Sequence, residues 1–301
     1  MAVGCEGWVS LTVDTEEDLL LGTGGSIPKV RPDIQSQSGY GGQINDSGPS
    51  YTEMAIGFPH THDFVQYEGS IEFEATEGVI TRQIKPWLFD RQGKAQVHIH
   101  PRDAASQRFD SAFWSSISLS AGEGGVVSSS ISFSSEGDRD NFDRGTGYVA
   151  NKTGQGFLCD TSPPANWNIP GQLNPSSGNI EPIPFWNTSI VIDGSTVEFT
   201  NWTVEFTQSF NRFFACENNS TPQEAKIVGV GPVSIRFTGD YMFVGTPAFT
   251  VSDTLSTLVI NVGGETISLS ELELTSDSDD IRGQGDLAPV GIEYAAYGIA
   301  A

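Results

Sequence analysis

Lysine is almost missing from this chain: Lys29, Lys85, Lys94, Lys152 and Lys226 are the only five in 301 residues. With 15 basic against 38 acidic residues the formal charge is -23. Binding to DNA, RNA or anionic lipid runs through neutralisation of phosphate, so that balance excludes a nucleic-acid-clinging or membrane-surface protein. The acid is not a tail: residues 1–150 carry 21 acids and 10 bases, and residues 151–301 carry 17 and 5. Cysteine is also scarce, and Cys5, Cys159 and Cys216 are too few and too scattered for a disulfide scaffold or a cysteine-rich zinc site. They are read as reduced or inert thiols. No apolar run reaches membrane-spanning length, and the opening MAVGCEGW lacks the charged and apolar pattern of a signal peptide, so neither a span nor a secretory leader is expected. The six N-x-S/T matches, beginning at Asn45, Asn151, Asn187, Asn201, Asn218 and Asn219, are then read as incidental to an Asn-, Ser- and Thr-rich composition.

What the chain has in quantity is glycine, 34 residues, with much serine and threonine around short alternating apolar runs. That is the composition of strands and turns. The clearest region is Ile190 to Val244. Val197, Phe199, Trp202, Val204 and Phe206 nearly alternate with polar residues that include Glu198 and Glu205, and Asp193-Gly194 ahead of them is a hairpin turn. An excursion from Glu217 to Glu224, a turn at Gly229-x-Gly231-Pro232 and a second run through Val233, Ile235 and Phe237 complete the unit. A looser version lies between Ser111 and Gly137, with Phe113, Ile117 and Leu119, a turn at Gly122-Glu123-Gly124-Gly125, then Val127, Ile131 and Phe133. Two β units of similar build, 1–160 and 161–301, joined by a Pro- and Gly-rich connection over 162–184, are the predicted organisation.

Elsewhere Val9, Leu11 and Val13 predict a first strand, and 23–59, aperiodic and rich in glycine and proline, predicts a long arm ordered against a partner. From Phe64 to Ile84 strand character returns, with Glu68, Glu72 and Glu74 facing away from Ile71 and Phe73. Pro86 to Phe89 reads as core. Pro101 through Phe113 is the best helix candidate, since proline is tolerated in a first turn. Gly263-Gly264 predicts a second hairpin; 276–286 reads as a loose acidic tail, and Ile292 to Ile299 as a last strand.

All four histidines fall in two H-x-H pairs, His60 with His62 and His98 with His100. Two such pairs could surround zinc, iron or manganese. Nothing in the sequence brings them together, and the bland reading is exposed or interfacial histidines with no metal. Asp138-x-Asp140 and Asp277-x-Asp279 lack the glycine and closing glutamate of a calcium loop. No dinucleotide fingerprint, phosphate loop or nucleophile elbow is present. The acidic pair Glu72 and Glu74 reads as a solvated strand face, not a glycosidase pair. No enzyme and no cofactor is predicted.

The stretch from Trp202 to Phe210 and from Pro222 to Gly239 resembles the closing strand pair of the tail tube proteins of long-tailed bacteriophages, and Ser115 to Gly137 is similar to it in shorter form. The resemblance covers about half the chain. It implies a β-sandwich unit with a flanking helix, here present twice, and the segment 23–59 in place of that family's long loop to a neighbouring subunit. A duplicated chain implies a homotrimeric, pseudo-hexameric ring that stacks into a tube in the virion tail, contacts other tail proteins and lets genomic DNA pass unbound, with no membrane partner. The charge fits such a conduit, because an acidic lumen repels DNA. Glu68, Glu72, Glu74, Glu198 and Glu205 are then the expected lumen residues. The connection 162–184 and the H-x-H pairs depart from the family pattern. Another virion protein (an adaptor or decoration protein), a carbohydrate-binding β-sandwich and a double-H-x-H metalloenzyme are the competing readings.

Overall fold

The structure, a computed structural model, describes residues 7–13, 16–26, 64–89, 95–101, 107–136, 181–213, 223–224, 226–242, 254–279 and 289–300. They are mainly β, with one short helix. In chain order the strands of the first half are β1 (Gly7–Val13), β2 (Glu16–Leu19), β3 (Leu21–Ser26), β4 (Phe64–Glu74), β5 (Ala95–Pro101), β6 (Gln107–Gly122) and β7 (Ser128–Glu136). Those of the second half are β8 (Thr188–Ile192), β9 (Ser195–Val197), β10 (Phe199–Phe213), β11 (Gln223–Glu224), β12 (Lys226–Met242), β13 (Thr254–Val262), β14 (Glu265–Asp279) and β15 (Pro289–Ala300).

All fifteen belong to one sheet with the path β11-β4-β7-β6-β10-β12-β15-β14-β13-β8-β9. Alternation explains it, because one set of positions is apolar on each of the eight strands from β4 to β13 along that path. A single hydrogen-bonded row runs Ile71, Ile131, Ile117, Phe206, Ile235, Ala296, Leu272, Leu255, crossing eight strands with every member buried. Strand β14 keeps its inward side by a local twist: Ile267 and Leu269 are buried, then Leu272, and Glu271 between them takes a positive φ of 54°. The two predicted hairpin turns are present. Asp193 and Gly194, at φ 45° and 83°, join β8 to β9, and Gly263 and Gly264, at 58° and 95°, join β13 to β14, as a turn with two left-handed residues requires. Asp193 is further held by the backbone N–H groups of Ser256 and Thr257, which donate to its Oδ1.

The sheet branches and curls. The first part of β6 (Gln107 to Ala112) pairs with β5, which continues to β1 and β2, while 116–122 pairs with β10. The far strands fold back over the core: Trp202 Nε1 on β10 donates to Thr188 Oγ1 on β8 at 3.3 Å, although four strands intervene along the sheet. The segment 181–184 closes the end. Ile183 N–H donates to the Ala75 carbonyl, Val127 N–H donates to that of Ile183, and Gly263 sits so close to Ile183 that a Cβ there would lie 2.8 Å from its side chain. One core cluster draws on both halves of the chain, from Leu11 to Ala296.

The helix, α1 (77–89), stands where the sequence predicted strand and core. Thr76 caps it, its hydroxyl accepting the Val79 N–H, and Glu77 suits the positive end of the dipole. The buried side chains are those of 79 and 80, 83 and 84, 87 and 88. A four-residue repeat outruns the 3.6-residue turn, and the middle segment, Ile80–Ile84, is a π-turn whose extra width keeps both stripes on the core. Pro86, which has no N–H to donate, follows after Lys85.

Other expectations are corrected. The helix expected from Pro101 to Phe113 is not found in the described part of that stretch: Pro101 ends β5 and Gln107 onward is β6, with Phe109 paired to β5 and Phe113 and Trp114 paired to β7. Among the described residues there is therefore one α-helical segment, and the second unit shows only the three-residue 3-10 turn Phe185–Asn187. Gly229 to Pro232 is not a turn but an irregularity inside β12, where Gly231 and Pro232 together oppose the single residue Ser209 of β10. The stretch 276–279 is the end of β14, not loose tail, and this places Asp277-x-Asp279 in a strand. The arm enters the description only at 23–26, as part of β3; 27–59 and most of the connection 162–184 lie outside the described residues.

Candidate functional site

The outward positions of the sheet form one polar surface. Its central row passes from Glu72 on β4 through Ser130, Ser118, Glu205, Arg236 and Ala295 to Glu273 on β14. The row on one side is Ser70, Ser132, Ser116, Thr207 and Ser234. On the other it is Glu74, Ser128, Ser120, Thr203, Thr238, Glu293 and Ser276. Short hydroxyl side chains dominate β6 and β7, and carboxylates stand at both flanks. The apolar row set behind it fixes this face, since a one-residue slip would exchange the two.

Of the predicted lumen acids, Glu72, Glu74 and Glu205 come together here, Glu72 and Glu205 in the same row. Glu72 is exposed, Glu74 and Glu205 half-buried. Glu198 is exposed but occupies the one-residue break between β9 and β10, without a register partner. For Glu68 the structure gives only the backbone position, opposite Ser134. Sequence reading missed Glu273, Glu293, Arg236 and the hydroxyls of β6 and β7. The Ser-x-Ser spacing of 116–120 and 128–132 was the available signal.

Two sets of polar bonds link three strands of this face, β12, β15 and β14. Arg236 Nη2 donates to Glu293 Oε2 at 2.6 Å, and Thr275 donates its hydroxyl to Glu293 Oε1 at 2.9 Å. Tyr297 donates its hydroxyl to Glu273 at 2.9 Å. The Arg236 bond holds the Glu293 carboxyl below the usual carboxylate range, and Glu293, bonded and charged, with Glu205 beyond it, raises Arg236 above its own. The hydrogen bond to Glu273, and then its negative charge, raise the Tyr297 phenol above its ordinary value.

A second charged group lies at α1 and is a fastener. Asp18 of β2, buried, accepts Arg82 Nη2 at 2.6 Å, Arg82 Nε at 3.1 Å and Gln83 Nε2 at 2.6 Å, while Gln83 Oε1 accepts the Val13 N–H at 2.7 Å. On the far side Lys85 Nζ meets Glu265 Oε2 at 2.7 Å and Thr81 donates to Glu265 Oε1 at 2.9 Å. The helix is thus tied to the β1–β2 and β13–β14 hairpins at once. The Lys85 bond lowers the Glu265 pKa, burial opposes it, and the Thr81 hydroxyl adds to the lowering. A carboxylate depressed on folding stabilises the fold above its unfolded pKa, about 4.3, and that stabilisation is lost as pH falls through the lower folded value. Denaturant titrations between neutral pH and about pH 3 should show wild type losing up to about 1 kcal/mol more than Glu265→Gln, the scale of a partly exposed pair. Equal losses would show the pair to be inert.

The histidines do not assemble into a described site. His60 and His62 lie outside the described residues, and of His98 and His100 only the backbone is placed, opposite Ser10 and Trp8 of β1. Among the described residues no group of three or more His, Cys, Asp or Glu is gathered as a metal would require. No helix among them is long and apolar enough to cross a membrane. No protein family and no curated protein matches the chain.

Proposed function

We propose that this protein is a structural subunit that self-assembles into a hollow tube of the phage-tail kind, with the polar sheet face as its inner wall. The observation that carries the reading is that face: carboxylates and hydroxyls over seven consecutive strands, backed by a continuous apolar row. A polyanion sliding over it meets like charge and small neutral groups, and like-charge repulsion is the physical basis of a conduit that does not retain its cargo. Two long hairpins stand side by side in the sheet, β6–β7 and β10–β12, joined through β6 and β10. We read them as two tail-tube-like β-sandwich units of one duplicated chain, so that three chains close a pseudo-hexameric ring and rings stack into the tube. Glu72, Glu74 and Glu205 line the lumen in this reading, with Glu273 and Glu293 added to them. The role is mechanical, in the virion tail with other tail proteins and the genome in transit, and it assigns no catalysis, metal or cofactor.

Mass measurement and negative-stain microscopy of the purified chain test this directly. The expected result is a three-chain ring and, at higher concentration, tubes with a central hole. A monomer at every concentration would end the proposal, and a six-chain ring would end the duplicated-unit version of it. A map of the tube should also show an acidic channel; a neutral or basic channel would remove the polar face from the wall.

A further inference from the structure

Among the described side chains of the polar face Arg236 is the one cation, and it stands near the middle of the central row. A guanidinium is the side chain best suited to grip a phosphate, since its planar fork offers paired donors. Burial does not conceal it: 56% of its side chain is exposed, so a passing phosphate could reach it. Charge conceals it instead. Glu205, on β10, is its register partner, and Glu293, diagonal on β15, is bonded to it at 2.6 Å and held in place by Thr275.

We propose that Glu205 and Glu293 mask Arg236, so that the polar face gives a passing polyanion no positive foothold. This rests on reading that face as a conduit wall. The arrangement is reciprocal. Glu205 on β10 and Glu293 on β15 flank β12 from its two sides, with Glu273 one strand further on β14, and their like charges repel across the face. Arg236 relieves that repulsion, and the carboxylates cancel the attraction that Arg236 alone would exert on phosphate. Arg236 is therefore a positioning residue for the acids, and the acids set what the wall rejects.

The test uses the full-length chain and a labelled single-stranded DNA of about twenty nucleotides, which reaches a free chain or the lumen of an open tube. Anisotropy is read at about 0.15 M salt, where the Debye length of about 8 Å screens net charge but leaves contacts intact. Wild type is expected to show no binding. Glu205→Gln with Glu293→Gln, which keeps side-chain shape, should bind at least tenfold more strongly, and adding Arg236→Gln should remove the gain. Circular dichroism and a thermal melt establish that each variant is folded; if the double variant is not, Glu293→Gln alone should give a smaller gain that Arg236→Gln again removes. A folded double variant that binds no better than wild type overturns the masking, as does a gain that survives Arg236→Gln. Strong binding by wild type overturns the conduit reading instead, and masking then stands only if the double variant still gains tenfold through Arg236.

Discussion

Replacing Asp18 by alanine is expected to destabilise the fold by about 3–5 kcal/mol, the usual cost of removing one partner of a buried ion pair. The Asp18 side chain is 2% exposed and that of Arg82 18%, so the guanidinium left behind cannot recover full hydration. Gln83, itself buried, loses the acceptor for its Nε2 at the same time. Because the Gln83 Oε1 is what receives the Val13 N–H, disorder in that amide would spread to β1 and through it to β5. Asp18→Asn keeps the volume and one acceptor, and should lose less. Denaturant unfolding at neutral pH measures both. A loss under about 1 kcal/mol for Asp18→Ala would mean that the helix is held by its apolar stripe alone, with the polar clamp contributing no more than an exposed pair does.

Trp202→Ala should be comparably severe, about 3–5 kcal/mol, as for other aromatic truncations in close-packed cores. Trp202 is 1% exposed and lies on β10, at the place where the curled sheet meets itself. Removing the indole opens a cavity between β10 and β8 and leaves the Thr188 hydroxyl without its donor. Trp202→Phe separates the two effects, since it keeps most of the packing and loses the 3.3 Å bond to Thr188. Most of the cost should remain with the cavity, leaving about 1 kcal/mol for the bond. If the polar face is a tube wall, the alanine variant should also assemble less well, because Trp202 fixes the curvature on which neighbouring chains would have to agree. Calorimetry and the mass of the soluble state, compared at one temperature below the transition, check the two statements together.

Where a residue's fate depends on its immediate neighbours, the sequence alone determined it. Asp193-Gly194 and Gly263-Gly264 tolerate positive φ and became hairpin turns. Ile71 and Phe73 alternate with Glu72 and Glu74, and the first pair is buried while the second faces outward or stands at the rim. Period two is a property of the chain, so the apolar and polar faces could be read before any partner was known. Three decisions were tertiary. Residues 77–89 carry an apolar repeat of four, which suits neither an ideal helix nor a strand; packing of both stripes against the core, together with the Asp18 clamp on Arg82 and Gln83, selects a helix with a π-turn. The stretch 107–113 has an acceptable helical composition, yet β5 along 107–112 and β7 from Ala112 onward supply backbone partners that a helix there would leave unmatched. The polar surface is the third. Glu72, Glu205 and Arg236 are separated by 133 and 31 positions in the chain, and what brings them into one row is the order in which strands pair. Pairing order is set by how the whole apolar face can be covered at once, which no local pattern encodes.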